Sequence, residues 1–305
     1  MGECVRETFL SVTGETVGKR LWLPEGKPRA VLQLLHGMAE HIDRYDATAK
    51  AMNKAGFAVV GHNHLGHGQE AKTLGHFARQ HGWDALIEDT HALRQNTQAS
   101  YPGTPYFLLG HSMGSFVARG YALKYEKGLS GLILSGTGHF DPPLVAVGML
   151  IASLQCALGA GEKPSGLLAS ISTAGYNKTY EKARTAFDWL TSDADLVDAY
   201  IADPLCGSPF TARGYRDMFE GISRLYPGKL STMARDIPVL LLSGEDDPVG
   251  AYGKGVKKVA QELRSVGISD VTVKLYEGSR HEMFNEKEKE RVWGDLVGWM
   301  EGRLS

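Results

Sequence analysis

The sequence has 305 residues, of which 43% are hydrophobic and 22% charged, as in an ordinary globular enzyme. Acids and bases are mixed along the chain and sum to a net charge of −2, with no basic patch that would indicate nucleic-acid binding and no acidic tail that would indicate disorder. The three cysteines, Cys4, Cys156 and Cys206, are far apart and predict neither a disulfide framework nor a metal site. We therefore expect a cytoplasmic protein, and the first residues also lack the pattern of a secretory signal.

The N-terminal part of the chain predicts a hairpin followed by buried strands. Residues 5–11 and 17–23 predict two strands joined by a turn at Thr13-Gly14-Glu15. Two nearly continuous apolar runs, at 30–35 and 57–61, are typical of strands buried on both faces of a parallel sheet. Between them lies a helix pattern at 45–54.

Strands and helices continue to alternate, with one long interruption. From residue 138 to about 227 helical patterns follow one another without a strand. Alternation of this kind predicts an α/β fold with a mostly parallel sheet covered by helices on both faces. We expect a core of residues 1–137 and 228–305 and an inserted helical cap of residues 138–227. The remaining core elements are helices at 84–99, 115–122, 253–266 and 286–301 and strands at 106–109, 131–135, 238–243 and 271–276.

An uncharged run at residues 142–161 begins the cap. A membrane-spanning helix needs about 20 mostly apolar residues, so the length is borderline. The run contains Gly148, Ser153, Gln155 and Gly159, and it lies between globular segments. We interpret it as a buried or lid helix.

The motif Gly110-His111-Ser112-Met113-Gly114 lies between a predicted strand and a predicted helix. A G-x-S-x-G sequence in that context predicts a nucleophile elbow, in which the serine stands at the tip of a sharp turn. The turn requires small residues two positions before and after the serine, and Gly110 and Gly114 meet that requirement. Ser112 is therefore the candidate nucleophile.

Two further loops follow predicted strands and supply candidate partners for the serine. The loop 244–249 contains Asp246 and Asp247, and we prefer Asp247 because it stands at the far side of the turn, before Pro248. His281 follows the last strand and comes last in the order Ser, Asp, His. A carboxylate at this position would orient the histidine and stabilise its charged form.

The early loop His36-Gly37-Met38 completes the constellation. A tetrahedral intermediate needs two N–H donors for its oxyanion. We expect these to be the backbone N–H groups of Met38 and of Met113, the residue after the nucleophile. The histidine-rich loop 62–67 offers a rival metal site, but no carboxylate stands in register with it, and we expect no metal and no cofactor.

Together these motifs resemble the α/β-hydrolase superfamily, and more narrowly its monoacylglycerol lipase and lysophospholipase-like branch. The matching segments span nearly the whole chain: His36 to His41 with Arg44-Tyr45, residues 63–68, the elbow, Asp203-Pro204-Leu205-Cys206, residues 244–249 and His281-Glu282. The resemblance implies an α/β-hydrolase fold, the triad Ser112–Asp247–His281, oxyanion donors Met38 and Met113, and a cap over an acyl tunnel. The chain departs from the usual pattern at two places. The branch usually has Asp at the position of Asn63, and it usually has a small hydroxyl residue near the position of Glu70.

The expected activity is hydrolysis of a lipid-like acyl ester, a monoacylglycerol or a lysophospholipid, through an acyl-enzyme. We expect His36, Gly37, His111, Leu150 and Leu154 to line the substrate pocket. The apolar cap also predicts transient contact with a membrane surface, without an anchor.

Three alternatives remain open at this stage. A serine aminopeptidase or iminopeptidase of the same fold would need a cap carboxylate for the substrate amine, and Glu162, Glu181 and Asp188 are available. An acyltransferase would use the same triad with an alcohol in place of water. A non-catalytic binding module is disfavoured because all three triad candidates are present.

Overall fold

A computed structural model describes residues 4–180, 183–230, 233 and 235–304. Its centre is an eight-stranded sheet in the order β1-β2-β4-β3-β5-β6-β7-β8. Strands β1 and β2 form the predicted hairpin and pair antiparallel with each other and with β4, whereas β3 to β8 are parallel. The strands are β1 (Cys4–Leu10), β2 (Thr16–Trp22), β3 (Ala30–Leu35), β4 (Phe57–His62), β5 (Tyr106–His111), β6 (Gly131–Ser135), β7 (Val239–Gly244) and β8 (Val271–Tyr276).

Helices cover both faces of this sheet. Every residue of the central strands β3, β4, β5, β6 and β7 is buried, which explains their nearly unbroken apolar runs. One face packs against α1 (Asp46–Lys54) and α10 (Lys289–Glu301). The other face packs against α2 (Gly82–Ser100), α3 (Met113–Tyr125) and α9 (Lys254–Ser265). The predicted α/β fold is confirmed.

Between β6 and β7 the chain forms helices, as the sequence pattern predicts. They are α4 (Pro142–Gln155), α5 (Gly166–Thr173), α6 (Ala194–Ala202), α7 (Ala212–Ser223) and α8 (Pro227–Leu230). The apolar run of α4 continues as a wider turn at Cys156–Ala160. The combined helix is long and apolar enough to cross a membrane, with a mean hydropathy of 1.8, and only 17% of it is buried. It is therefore an exposed helix and not the buried one that the sequence also allowed.

The candidate site lies at the carboxyl ends of the parallel strands. Strands β3, β5, β7 and β8 end at Leu35, His111, Gly244 and Tyr276. The loops that leave these strands carry the oxyanion candidate, the nucleophile, the acid and the histidine in that order. In open α/β sheets, ligands bind beyond this edge, so four segments that are distant in sequence face one region.

Candidate active site

Ser112 sits in a strained turn between β5 and α3. Its backbone has φ 51° and ψ −120°, a conformation that a non-glycine residue rarely adopts and that costs about 1–3 kcal/mol. The Ser112 N–H donates to Ser135 O at 2.8 Å, which fixes the turn to β6. A Cβ on Gly110 would overlap the carbonyl of Gly114, and a Cβ on Gly114 would overlap that of Leu35. The geometry is that of the predicted elbow.

Asp247 and His281 meet at the same edge of the sheet. Both carboxylate oxygens of Asp247 lie 3.0 Å from His281 Nδ1. Asp247 is fully buried, and its oxygens also accept from Ser243 Oγ at 3.2 Å and from Val249 N at 2.8 Å. The neighbouring Asp246 is exposed. Since a carboxylate can only accept, Nδ1 carries the proton and Nε2 is the nitrogen left free for a proton transfer.

The environment of His281 sets an expected pH dependence. Burial lowers the pKa of the imidazole, but Asp247 overcomes this effect, and the pKa lies above its usual 6.5. A general base has to be neutral, so kcat/KM should fall as the pH drops through a value above 6.5.

In Asp247→Asn, kcat should fall about 10⁴-fold and the acid limb of the pH–rate profile should move to lower pH. The measurement is a pH–rate profile with Asp246→Asn as the matched control; a profile unchanged in Asp247→Asn would contradict the assignment.

His111 packs against the candidate base. The two imidazole centroids are 4.8 Å apart, and His111 Nδ1 lies 3.3 Å from Ser135 Oγ. Burial, and then the proximity of His281, lower the pKa of His111 to about 4. His111 is therefore neutral at physiological pH and adds no second charge beside His281.

The loop after β3 lies directly against the elbow. A Cβ on Gly37 would come within 2.7 Å of Glu40 Oε1 and 3.1 Å of Ser112 Cβ, so the absence of a side chain lets the loop approach the elbow closely. The Gly37 N–H donates to Glu40 Oε1 at 2.5 Å, and the Gly37 carbonyl accepts from His36 Nδ1 at 2.8 Å. Because C=O and N–H point in opposite directions across a trans peptide, His36 also fixes the direction of the Met38 N–H. That N–H has no hydrogen-bond partner among the residues that the structure describes.

A buried ion network joins this loop to the histidine loop. Arg44 donates to both oxygens of Glu282 at 2.6 and 2.7 Å and to Glu40 Oε2 at 2.6 Å. Tyr45 OH donates to Glu40 Oε1 at 2.8 Å. Burial alone would raise the pKa of Glu282, but Arg44 lowers it to about 2. The four residues of this network belong to motifs in the sequence, but no role was predicted for them. The i, i+4 spacing of Glu40 and Arg44 is the sequence feature that could have indicated an ion pair.

Residues between β6 and β7 contact the loop that carries His281. The Trp189 ring lies 5.0 Å from the His281 ring, and Leu190 O accepts from Glu282 N at 2.7 Å. The Arg280 guanidinium donates to the carbonyls of Asp188 and Thr191. These contacts join residues far apart in sequence, and no motif indicated them.

A cavity of about 500 Å³ lies over Ser112 and His281. Gly37, Met38, His111 and Met113 belong to its wall at this reactive end. The rest of the wall is mainly apolar and comes from the helices between β6 and β7, including Val145, Ile151, Met218, Phe219 and Ile222. A mostly apolar cavity with a few polar groups beside Ser112 suits a substrate with an apolar chain.

Three residues expected at the pocket lie elsewhere. His36 is fully buried, and its ring bonds Gly37 O and His64 N and does not line the cavity. Leu150 and Leu154 are 69% and 59% exposed. Helix α4 turns Val145, Gly148 and Ala152 inward, and Leu150 and Leu154 stand about 200° further round the helix from Gly148 and Ala152, on its outer face.

The histidine-rich segment packs as a neutral cluster. His36, His62, His64 and His67 are all buried, and their adjacent ring centroids are 4.4 to 6.2 Å apart. Burial lowers the pKa of each imidazole, to about 4 for His62 and His67. Two of these imidazoles, on His36 and His67, bond backbone atoms of the surrounding loops.

Among the residues that the structure describes, one group of potential metal ligands was not predicted from the sequence. Ligand atoms of His41, Asp203 and Cys206 lie within 4.8 Å of one another, although the cysteine spacing predicted no such group. His41 Nε2 is 2.8 Å from Asp203 Oδ2. Burial lowers the pKa of His41, but Asp43, Cys206 and Asp203 together raise it to about 10. The contact between His41 and Asp203 joins the loop after β3 to the segment that follows α6.

Comparison with known proteins gives one consistent family. Residues 26–288 match the family model described as serine aminopeptidase, S33. A monoacylglycerol lipase from Mycolicibacterium smegmatis is 29% identical over 97% of this chain and 97% of that protein. The human monoglyceride lipase is 27% identical over 97% of this chain and 90% of that protein.

Solved structures agree with the sequence relatives. A thermostable carboxyl esterase from Bacillus coagulans, in complex with glycerol, superimposes with a TM-score of 0.93 at 31% identity over 99% of both chains. A lipase in an open form superimposes with a TM-score of 0.87 at 27% identity over 99% of this chain and 100% of that one. The predicted branch is confirmed: the protein belongs to the serine aminopeptidase S33 family (Hydrolase_4) of α/β-hydrolases, in its monoglyceride lipase branch, and is a carboxylic-ester hydrolase.

Proposed function

We propose that the protein hydrolyses lipid-like monoacyl esters, a monoacylglycerol or a lysophospholipid, with Ser112 as nucleophile, His281 as base and Asp247 as its partner. The observation that carries the proposal is the apolar cavity of about 500 Å³ with Ser112 and His281 at its wall. Relatives along the whole chain are named monoacylglycerol and monoglyceride lipases, which supports the same substrate class. The cap, residues 138–227, would shape the acyl part of the cavity.

The reaction proceeds in two acyl-transfer steps. His281 Nε2 removes the proton from Ser112 Oγ while Oγ attacks the ester carbonyl carbon. The oxyanion that forms accepts hydrogen bonds from the N–H groups of Met38 and Met113, the latter free because the first turn of a helix leaves its N–H groups unpaired. His281 then gives the proton to the leaving alcohol. Water, deprotonated by His281, then attacks the acyl-enzyme, and His281 returns that proton to Ser112 Oγ as the bond from Oγ to the acyl carbon breaks and the fatty acid leaves.

The charges at the cavity disfavour an aminopeptidase. A substrate ammonium needs an unpaired carboxylate, and the carboxylates at the wall, among the described residues, are Glu40 and Glu282, both paired with Arg44. Of the cap candidates, Glu162 is 59% exposed beside Arg79, and the Asp188 carboxylate bonds within its own loop. Glu181 lies outside the described residues.

The test is a substrate panel with purified protein. It compares 4-nitrophenyl esters of graded chain length with a monoacylglycerol, a lysophospholipid and an aminoacyl anilide. We expect kcat/KM to rise with acyl length, because each methylene buried in the cavity contributes up to about 0.8 kcal/mol. Added glycerol or methanol reports transfer to an alcohol. Cleavage of the anilide alone would replace the proposal with a peptidase.

The outer face of the cap suits contact with a lipid surface. Leu150, Leu154 and Leu158 are each more than half exposed on the side of the helix away from the cavity. Leu144 and Val147 are exposed to a similar degree and also border the cavity, so the apolar surface reaches its wall. Exposed apolar patches of this kind mark interaction surfaces. We propose that this stripe touches the membrane transiently while substrate enters, without spanning it.

A double variant tests the stripe. Leu150→Gln/Leu154→Gln should weaken binding to phosphatidylcholine vesicles about 5-fold or more, because each leucine that enters the bilayer contributes up to about 2 kcal/mol. Turnover of a water-soluble short ester should stay unchanged. The matched control is Leu10→Gln/Val12→Gln, which changes two residues of similar exposure on the core, 69% and 57%. Equal loss of vesicle binding in both double variants would refute a specific role for the stripe.

A further inference from the structure

We propose that His67 is a positioning residue for the oxyanion donor, and that it acts by accepting a hydrogen bond from the backbone of Ala39. The inference rests on the proposed function, in which the Met38 N–H binds the oxyanion. It gives a role to the histidine-rich segment, which the triad does not use.

The hydrogen bonds of His67 show which ring nitrogen carries the hydrogen and which one accepts. His67 Nδ1 lies 3.1 Å from Leu65 O, and a carbonyl only accepts, so Nδ1 carries the hydrogen. Nε2 is then the unprotonated nitrogen. The Ala39 N–H donates to it at 3.3 Å. A buried neutral histidine is thus used as an acceptor for the loop that carries Met38.

The loop needs such a support because it is strained. Ala39 has φ 54°, a left-handed conformation that side chains other than glycine rarely adopt. Its carbonyl is held by Tyr200 OH and Gly207 N, both at 2.9 Å. Because His67 accepts from the Ala39 N–H, both polar backbone groups of Ala39 are bound. A core residue binds the N–H, and cap residues bind the carbonyl.

These bonds fix the two peptide planes that flank Met38. His36 holds the carbonyl of Gly37, which sets the plane containing the Met38 N–H. His67 holds the N–H of Ala39, which sets the following plane. Turning the Met38 N–H would require His36 to release the Gly37 carbonyl, and the bond from His67 keeps the adjoining plane from moving with it. Preorganised donors of this kind stabilise the transition state because they need no reorientation during the reaction.

The surroundings keep His67 rigid and neutral. Its ring packs between Phe77 and Phe210, with centroids at 6.2 and 5.3 Å, and against His36 and His64. The ring is 3% exposed, and burial lowers its pKa to about 4; the nearby Glu40 opposes this shift and His41 adds to it. Protonation would place a hydrogen on Nε2 and remove the acceptor, so the low pKa preserves the bond at neutral pH.

The test compares variants that differ in the acceptor. His67→Gln can place an amide oxygen near the Nε2 position, whereas His67→Phe keeps a ring and has no acceptor. We expect His67→Phe to lower kcat about 10- to 100-fold, less than the 10²–10³-fold that loss of an oxyanion donor costs, with KM within about 2-fold. The inhibition constant of a long-chain boronic acid, which forms a tetrahedral adduct on serine, should rise in parallel. His67→Gln should stay within about 3-fold of the unmodified protein in both measurements.

The outcomes separate this inference from the proposed function. If Ser112→Ala keeps its activity, the proposed function is wrong. If Ser112→Ala is inactive but folded His67→Phe matches the unmodified protein, only the inference fails. Equal losses in the Phe and Gln variants would show a packing role and overturn it. Should His67→Phe not fold, His67→Asn replaces it, because its shorter amide reaches the Nδ1 position only; Asn and Gln with the same kcat would also overturn it.

Discussion

Ser112→Ala should lower kcat for a long-chain ester by about 10⁴-fold or more, because the variant cannot form an acyl-enzyme. Removing the hydroxyl is the smallest change that eliminates the nucleophile, and alanine fits the strained backbone no worse than serine does. KM should change little, since the apolar cavity that binds the acyl chain is untouched. The measurement is steady-state hydrolysis of 4-nitrophenyl esters.

The control for this prediction is Ser100→Ala. Ser100 is an exposed residue at the end of α2, and its hydroxyl donates to Asn96 O in the same helix. This variant should retain full activity. Ser112→Ala with more than about a tenth of the normal kcat would show that another group performs the reaction, because a triad member contributes far more than tenfold.

Arg44→Met should have the largest effect on stability. Arg44, Glu40 and Glu282 are 12%, 4% and 5% exposed, so methionine would leave two buried carboxylates without a cation. Removing one partner of a buried ion network costs about 3–5 kcal/mol of unfolding free energy. The variant also loses the contact of the guanidinium with the Tyr200 ring, 4.8 Å from its centroid. Urea unfolding at neutral pH measures the change.

Arg29→Met provides a matched comparison for an exposed pair. Arg29 bonds Glu301 at 2.7 Å, but the two side chains are 50% and 42% exposed. Water and salt screen such a pair, and we expect a loss below about 1 kcal/mol. A similar loss in both variants would mean that the Arg44 network is not held together by buried charge.

Local patterns were enough to predict the parts of the site that depend on the backbone. The elbow needs glycines at 110 and 114 because their neighbours leave no space for a Cβ. Strand β7, which precedes the Asp247 loop, is fully buried, and strand β8, which precedes the His281 loop, is buried at both ends and half-buried between them. Both loops follow at fixed places in an alternating pattern of strands and helices. The choice of Asp247 over Asp246 rested on its place in the turn, and the structure places Asp247, not Asp246, against His281.

Tertiary contacts were beyond what local patterns could predict. Leu150 and Leu154 were expected at the pocket because the run is apolar on all sides, which hides the phase of the helix. Only its packing on α7, where Gly148 fits against Phe219, shows which face is turned inward. The bonds from Arg280 to the cap and from His67 to Ala39 likewise join segments that no sequence spacing connects.

The most direct test of the account is to trap the acyl-enzyme. The protein would be mixed with a 4-nitrophenyl long-chain ester, quenched in acid within the first turnover, digested and analysed by mass spectrometry. We expect the acyl mass on the peptide that contains Ser112, and none on that peptide in Ser112→Ala. Hydrolysis at the normal rate with no acylated Ser112, or with the acyl group on another residue, would contradict the central claim that Ser112 is the nucleophile.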